Sequence, residues 1–210
     1  IEQARFAEAA TLIESELANA REPKHIEQLN VLNAINLDKQ GNPRAAYQLL
    51  SQLLDKNPDS FELRYSRAML AETKNELGQM ESDLRHIINL YPDSALALNA
   101  LGYTLADKTT RYQEALALIE QAQKLVPDDP AILDSLGWVL YRLGRVTEAA
   151  DYLQQALALM PDAEVAAHLG EVLWVSGKRD DAKTVLRQAL QAAPDHVILN
   201  ETIKRLNIGL

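Results

Sequence analysis

The sequence predicts an all-α protein, a solenoid of antiparallel helix pairs, and three observations carry that prediction. The first is composition: among 210 residues there are 30 alanines and 35 leucines, against 9 valines and 11 aromatics. Alanine and leucine favour helix, whereas β-branched and aromatic residues favour strand. The second is spacing: five of the eight prolines open Pro-Asp pairs, at Pro58, Pro92, Pro127, Pro161 and Pro194, separated by 34, 35, 34 and 33 residues. The third is that two further ladders keep the same step. One is Ala46, Met80, Ala115, Ala149 and Ala182; the other is Ala34, Ala68, Gly102, Gly137 and Gly170. A shared period near 34 residues marks stacked helical hairpins, none of which buries its apolar face alone.

The elements follow in chain order. Residues 1–22 carry Phe6, Ala9, Leu12, Ile13 and Leu17 at helical spacing and read as the second helix of a truncated repeat. The chain opens on Ile1, so it is expected to be an excerpt or a processed product whose parent continues upstream. Five repeats follow, at 26–59, 60–94, 95–129, 130–162 and 163–195. The fourth shows the logic. Asp129 is a good N-cap and Pro130 is tolerated at the first helical position. Ile132, Leu133, Leu136, Val139, Leu140 and Leu143 make a 3.6-period stripe, and Gly144 ends the helix. Thr147 and Glu148 open the second helix, Ala149, Leu153, Ala156 and Leu157 line its inner side, and Pro161 closes the unit. Gly137 inside the first helix costs about 1 kcal/mol against alanine, which predicts a close approach of the paired helix there. Thr109 and Thr110 mark a one-residue insertion in the third repeat's turn. Residues 196–210 hold a last amphipathic helix (Val197, Leu199, Ile203, Leu206) that caps the final repeat. No linker or composition break appears, so 1–210 reads as a single solenoid.

These residues resemble the tetratricopeptide repeat family. The runs LGYTLAD, LGWVLYRLGRVTEA and LGEVLWVSGKRDDA carry its Leu-Gly pair, turn glycine and helix-opening alanine. Gly137, Gly144, Ala149, Ala156 and Pro161 match in one repeat, and Gly170, Gly177, Ala182, Ala189 and Pro194 in the next. The first two repeats depart from the pattern, with Asn33 for the leucine, Asn75 for the turn glycine, and Met80 and Ile87 for small residues. The resemblance implies a superhelix whose concave wall, built by the first helix of each hairpin, binds peptides or partner proteins.

Composition narrows the function classes. The formal charge is −9, a poor match to nucleic acid or an anionic membrane. There is no cysteine, which removes disulfide and thiolate chemistry. No apolar run reaches the roughly 20 residues of a bilayer span. There is no Gly-rich phosphate loop, GxSxG elbow or HExxH. His168 and Glu171 stand at i, i+3 and could offer two ligands to a metal, but no third is in sight, so a surface pair is expected and no metal or cofactor. Asp128-Asp129 and Asp180-Asp181 fall at helix starts, where the dipole favours negative charge. The chain is therefore read as no enzyme.

Helical spacing from the small-residue ladder gives the wall. It carries Tyr65, Met69, Asn99, Tyr103, Asp134, Trp138, Tyr141, Arg142, His168, Glu171 and Trp174. Tyr65, Met69, Tyr103, Trp138, Tyr141 and Trp174 are expected to form a recognition surface, the alternative being that some pack between neighbouring first helices. Asp38, Glu72, Asp107, Asp134 and Glu171 make the wall acidic against Lys39 and Arg142, which favours an apolar ligand segment with Lys or Arg. The family's carboxylate clamp is not expected: Val31, Tyr65, Asn99, Asp134 and Ala167 stand at its place, and only Asn99 suits it.

A narrower resemblance, carried by DDPAILDSLGWVLYRLGR and its flanks, is to the C-terminal repeats of Gram-negative outer-membrane tetratricopeptide lipoproteins. Some of these are adaptors for a carboxy-terminal processing protease and present cell-wall hydrolases to it. That resemblance implies a periplasmic location and those partners. The rival readings are a regulatory repeat region of a larger enzyme, such as a glycosyltransferase, and a self-associating architectural subunit of an envelope or secretion assembly.

Overall fold

The computed structural model describes residues 2–210, with side chains from Arg5 onward. Among the described residues there are twelve α-helices and no strands. The chain divides into two compact units, Ile1–Pro92 and Asp93–Leu210.

The first unit holds α1 (Glu2–Asn19), α2 (Pro23–Lys39), α3 (Pro43–Lys56), α4 (Phe61–Thr73) and α5 (Leu77–Leu90). Helices α2 and α3 form one hairpin and α4 and α5 the next, while α1 packs on α2. The α1–α2 contact is tied by the Asn36 and Gln40 side-chain amides, which donate to the Phe6 carbonyl at 3.1 and 3.3 Å. Ala34, Ala46, Leu50, Leu54, Leu63 and Leu70 make the core. Asp83 of α5 is fully buried between the hairpin's arms. Its carboxylate accepts from Arg64 Nη1 at 2.9 Å, from Arg67 Nε and Nη2 at 2.8 Å each, and from Gln79 Nε2 at 3.1 Å.

The second unit holds α6 (Ala95–Lys108), α7 (Tyr112–Leu125), α8 (Pro130–Arg142), α9 (Val146–Leu159), α10 (Ala163–Val175), α11 (Arg179–Ala192) and α12 (Val197–Arg205). Its hairpins are α6–α7, α8–α9 and α10–α11, and the first helices α6, α8 and α10 pack on one another in order. Helix α12 lies against α10 and α11, burying Leu199 and Ile208 with Ala167 and Leu186.

The local chemistry explains these boundaries. Ser60, Ser94, Asp129, Asp162 and His196 cap first helices or α12 by accepting backbone N–H bonds. Asp180 and Asp181 instead sit in the first turn of α11 and make no cap bond, so they act through the dipole alone. Three hairpin turns use a left-handed glycine, and the second uses Asn75 at φ 59°. In each, the N–H just past the left-handed residue reaches back into the last turn of the helix, as in Glu76 to the Ala71 carbonyl at 2.8 Å. The turn with the insertion is built differently. Thr109 is extended, and its hydroxyl donates to the Leu105 carbonyl at 2.6 Å and accepts from the Arg111 N–H at 3.0 Å.

The mid-helix glycines are explained by the close approach expected of them. A Cβ on Gly102 would lie 2.5 Å from Ile119 Cγ1, one on Gly137 2.5 Å from Leu153 Cγ, and one on Gly170 2.4 Å from Leu186 Cδ2. In the first unit the ladder positions Ala34 and Ala68 are fully packed, at 2% and 0% exposure.

Candidate functional site

In the second unit the first-helix face is concave, and its own side chains meet across it. Tyr103 on α6 reaches past α8 to α10, two repeats away, and its hydroxyl donates to Glu164 Oε1 at 2.7 Å. His168 of α10 holds Asp134 of α8 through Nδ1, at 2.9 and 3.2 Å from the two carboxylate oxygens. The imidazole stacks on Trp138 with centroids 4.2 Å apart and 21° between planes, and Tyr103 lies 6.2 Å away. Burial pushes the His168 pKa down, but the hydrogen bond and charge of Asp134, with Glu164 and Asp107 behind it, prevail and raise it. Burial, then Glu164, push the Tyr103 phenol far above its usual range.

Burial bears on two readings of the wall. Trp138 is 7% exposed, so it belongs to the packed stack between first helices and not to an open surface. Asp134 and Glu171, read as part of an acidic wall, are 7% and 5% exposed and already paired. Glu171 is held by both Arg205 guanidinium nitrogens, one at 2.9 Å, and by the Tyr141 hydroxyl at 3.2 Å. Burial, then Glu171, raise the Tyr141 phenol. His168 and Glu171 are not a pair; each has a partner one repeat away. Among the described residues no group of three or more His, Cys, Asp or Glu side chains is placed to hold a metal ion.

On this face a pocket of about 600 Å³ opens near the C-terminal ends of α8 and α10, lined by Asp107, Trp138, Tyr141, Arg142, Glu171 and Arg205. Asp107 accepts from Trp138 Nε1 at 3.3 Å and pairs with Lys108 at 2.7 Å. Arg142 donates to the Asp107 carbonyl at 3.2 Å and the Tyr112 hydroxyl at 2.6 Å. Trp174, half-buried, stands under the Arg179 guanidinium at 5.1 Å. Asn99, on the inner face of α6, has a buried Oδ1 with no hydrogen-bond partner. The pocket's two carboxylates are thus met from within, Glu171 by Arg205 and Asp107 by Lys108, while Arg142 is held by a backbone carbonyl and a phenol.

In the first unit the equivalent face is not neutralised. A pocket of about 280 Å³ opens between Ala34, Ile35 and Asp38 of α2 and Tyr65, Met69 and Leu70 of α4, with Leu50 at its floor. Tyr65 stacks on Phe61 at 5.9 Å, and burial raises its phenol pKa.

The wall residues named from the sequence stand on α4, α6, α8 and α10. The sequence reading missed Arg205 and Glu164, which meet the second unit's face, and the Asp83 cluster with Arg64 and Arg67. A signal did exist for the last: Arg64 and Arg67 stand at i, i+3 and so share a helix face.

The chain belongs to the tetratricopeptide repeat family. Family models described as tetratricopeptide repeat match residues 31–79 and 104–164, and residues 140–199. It is 50% identical over 164 residues to the TPR repeat-containing protein PA4667 of Pseudomonas aeruginosa, a match that spans 78% of this chain and 28% of that protein. The chain therefore corresponds to less than a third of that relative. Among solved structures, the Cut9-Hcn1 hetero-tetramer of the APC/C matches with a TM-score of 0.81 at 19% identity, over 98% of this chain and 40% of that one. The thermophilic TPR protein TTC0263 of Thermus thermophilus matches with a TM-score of 0.74 at 22% identity, over 86% and 98%. At those identities the two structures speak for the fold alone.

Proposed function

We propose that this chain is a non-catalytic scaffold that holds partner proteins on its first-helix faces, and that it serves as a periplasmic adaptor at the bacterial outer membrane. There it would present cell-wall hydrolases to a carboxy-terminal processing protease. The observation that carries the scaffold reading is the pair of side-chain-lined pockets on those faces, each assembled from successive repeats. The work they can do is binding by shape, burial and charge. The adaptor reading rests on the resemblance of the Asp128–Arg145 run to the repeats of outer-membrane lipoproteins.

The test is to immobilise the chain and pass over it a purified carboxy-terminal processing protease and a cell-wall hydrolase, separately and together. Retention of either, with faster hydrolase degradation in the chain's presence, supports the adaptor. Passage of both removes that role. The broader scaffold reading fails if crosslinking in an extract of the source cells captures nothing beyond an unrelated helical control.

A further inference from the structure

The first unit's pocket differs from its counterpart in charge, and the difference names a ligand. Its walls are apolar: Ala34, Leu50 and Leu70 are buried, and Ile35 is 48% exposed beside Met69. One end is negative. Asp38 lies in its lining, and Glu72 stands outside the lining, next to the lining residue Thr73 on α4. No salt bridge or hydrogen bond to either carboxylate is present among the described residues. The last turn of α4 has no basic residue, so its carbonyl ends add partial negative charge to the same end. The nearby cations are committed elsewhere or exposed. Lys74 lies over the Tyr47 ring at 5.8 Å, Arg67 is held by Asp83, and Lys39 is exposed at the end of α2. In the second unit the positions matching Asp38 and Glu72 hold Ala106, Tyr141 and Trp174, and the acids that its face does carry are already paired, Asp107 with Lys108 and Glu171 with Arg205.

We infer that the pocket between α2 and α4 takes a bulky apolar side chain of a partner segment that carries a lysine or arginine next to it. The volume admits a leucine-, methionine- or phenylalanine-sized group. Its burial removes apolar surface from water, and the adjoining cation meets Asp38 and the α4 terminus. This inference rests on the scaffold reading and gives it a chemical preference confined to one face.

The protein supplies its own reporter. Of its three methionines, Met69 lines the pocket, Met80 is buried at 1% exposure, and Met160 is exposed in the second unit. The chain labelled with ¹³C at the methionine methyls is titrated to millimolar concentrations of acetyl-Gly-Leu-Lys-Gly-amide. Parallel titrations use versions with Glu for Lys and with Ser for Leu. The expected result is a saturating shift of the Met69 methyl with the Leu-Lys peptide, with Met80 and Met160 still. Affinity should be at least about threefold weaker for Leu-Glu, the scale of exposed charge pairs, and no saturation should appear for Ser-Lys. Asp38→Asn should narrow the Lys-over-Glu preference, and an unmoved Met80 resonance shows that it folds. Equal shifts for Leu-Lys and Leu-Glu overturn the inference. A shift of Met160 with Met69 silent also overturns it, while leaving the scaffold reading intact. Silence of all three methyls with every peptide overturns it too, and the scaffold reading then stands or falls on the capture experiment.

Discussion

Removing the buried carboxylate of Asp83 is the sharpest test of how the first unit is held together. Its side chain is 0% exposed and the two arginines it binds are 15% and 14% exposed, so the cluster is nearly dry. Asp83→Ala removes all four hydrogen bonds to the carboxylate and leaves two guanidiniums facing each other. Breaking a buried ion pair by deleting one partner costs about 3–5 kcal/mol. Here the loss is softened, because Arg64 Nε keeps the Pro58 carbonyl at 2.6 Å and Arg67 Nη1 keeps Ser51 Oγ at 3.1 Å. The expected destabilisation is therefore at the low end, about 3 kcal/mol, or roughly 150-fold in the local opening equilibrium. Repeat arrays need not unfold in one step, so a single urea curve is a poor gauge. Hydrogen exchange resolved by segment is better: amides of α4 and α5 should lose about two orders of magnitude of protection. Adding Arg67→Ala should then cost less than it does in the parent, because the carboxylate it serves is already gone. Protection in α4 and α5 within twofold of the parent would refute the claim that this cluster joins the two helices.

Other expectations are checked as directly. The His168 pKa is raised in the folded chain, so its contribution is complete below the unfolded value of about 6.5 and declines as pH rises towards and through the folded value. Urea stability of the second unit, followed by tryptophan fluorescence, should fall with rising pH above that point, and His168→Gln should flatten the fall. Gly137→Ala gains about 1 kcal/mol of helix propensity but drives a methyl against Leu153 Cγ and to 3.1 Å from the Ala149 carbonyl. Overpacking costs about 1–3 kcal/mol, so a net loss near 1 kcal/mol is expected in denaturant titration. Trp138→Ala should cost about 3–5 kcal/mol, since the ring is buried in the His168 stack. Circular dichroism melts would show this, and the variant is thus a test of packing before it is a test of binding.

The Asp129 cap, the Asn75 turn, the Thr109 insertion and the close approach at Gly137 were legible in the sequence. Each is a local demand of the backbone for a particular residue: a left-handed φ at Asn75, room for a neighbouring leucine at Gly137. The inner face was legible only in part. Helical spacing tells which way Asp134, Trp138 and Glu171 point, but not what lies opposite. That depends on how tightly successive first helices converge, and the approach of Tyr103 to Glu164 across an intervening helix shows how tight it is. Arg205 escaped notice because the last helix was read for its apolar stripe, while its role is to meet Glu171, 34 residues earlier. The two tyrosines nearest these acids, Tyr103 and Tyr141, were placed correctly and their hydroxyl partners were not.

The bonds from Asp134 to His168 and from Glu171 to Arg205 each span 34 residues, one full period of the chain. The fourth and fifth modules therefore each carry half of a lock whose other half sits one period further on, in the fifth module and in α12. Although the modules look interchangeable, shuffling or duplicating one would strand an ionised group in a dry interior. The array has a fixed order, written in side chains, and an engineer wishing to lengthen it would have to transplant neighbours together.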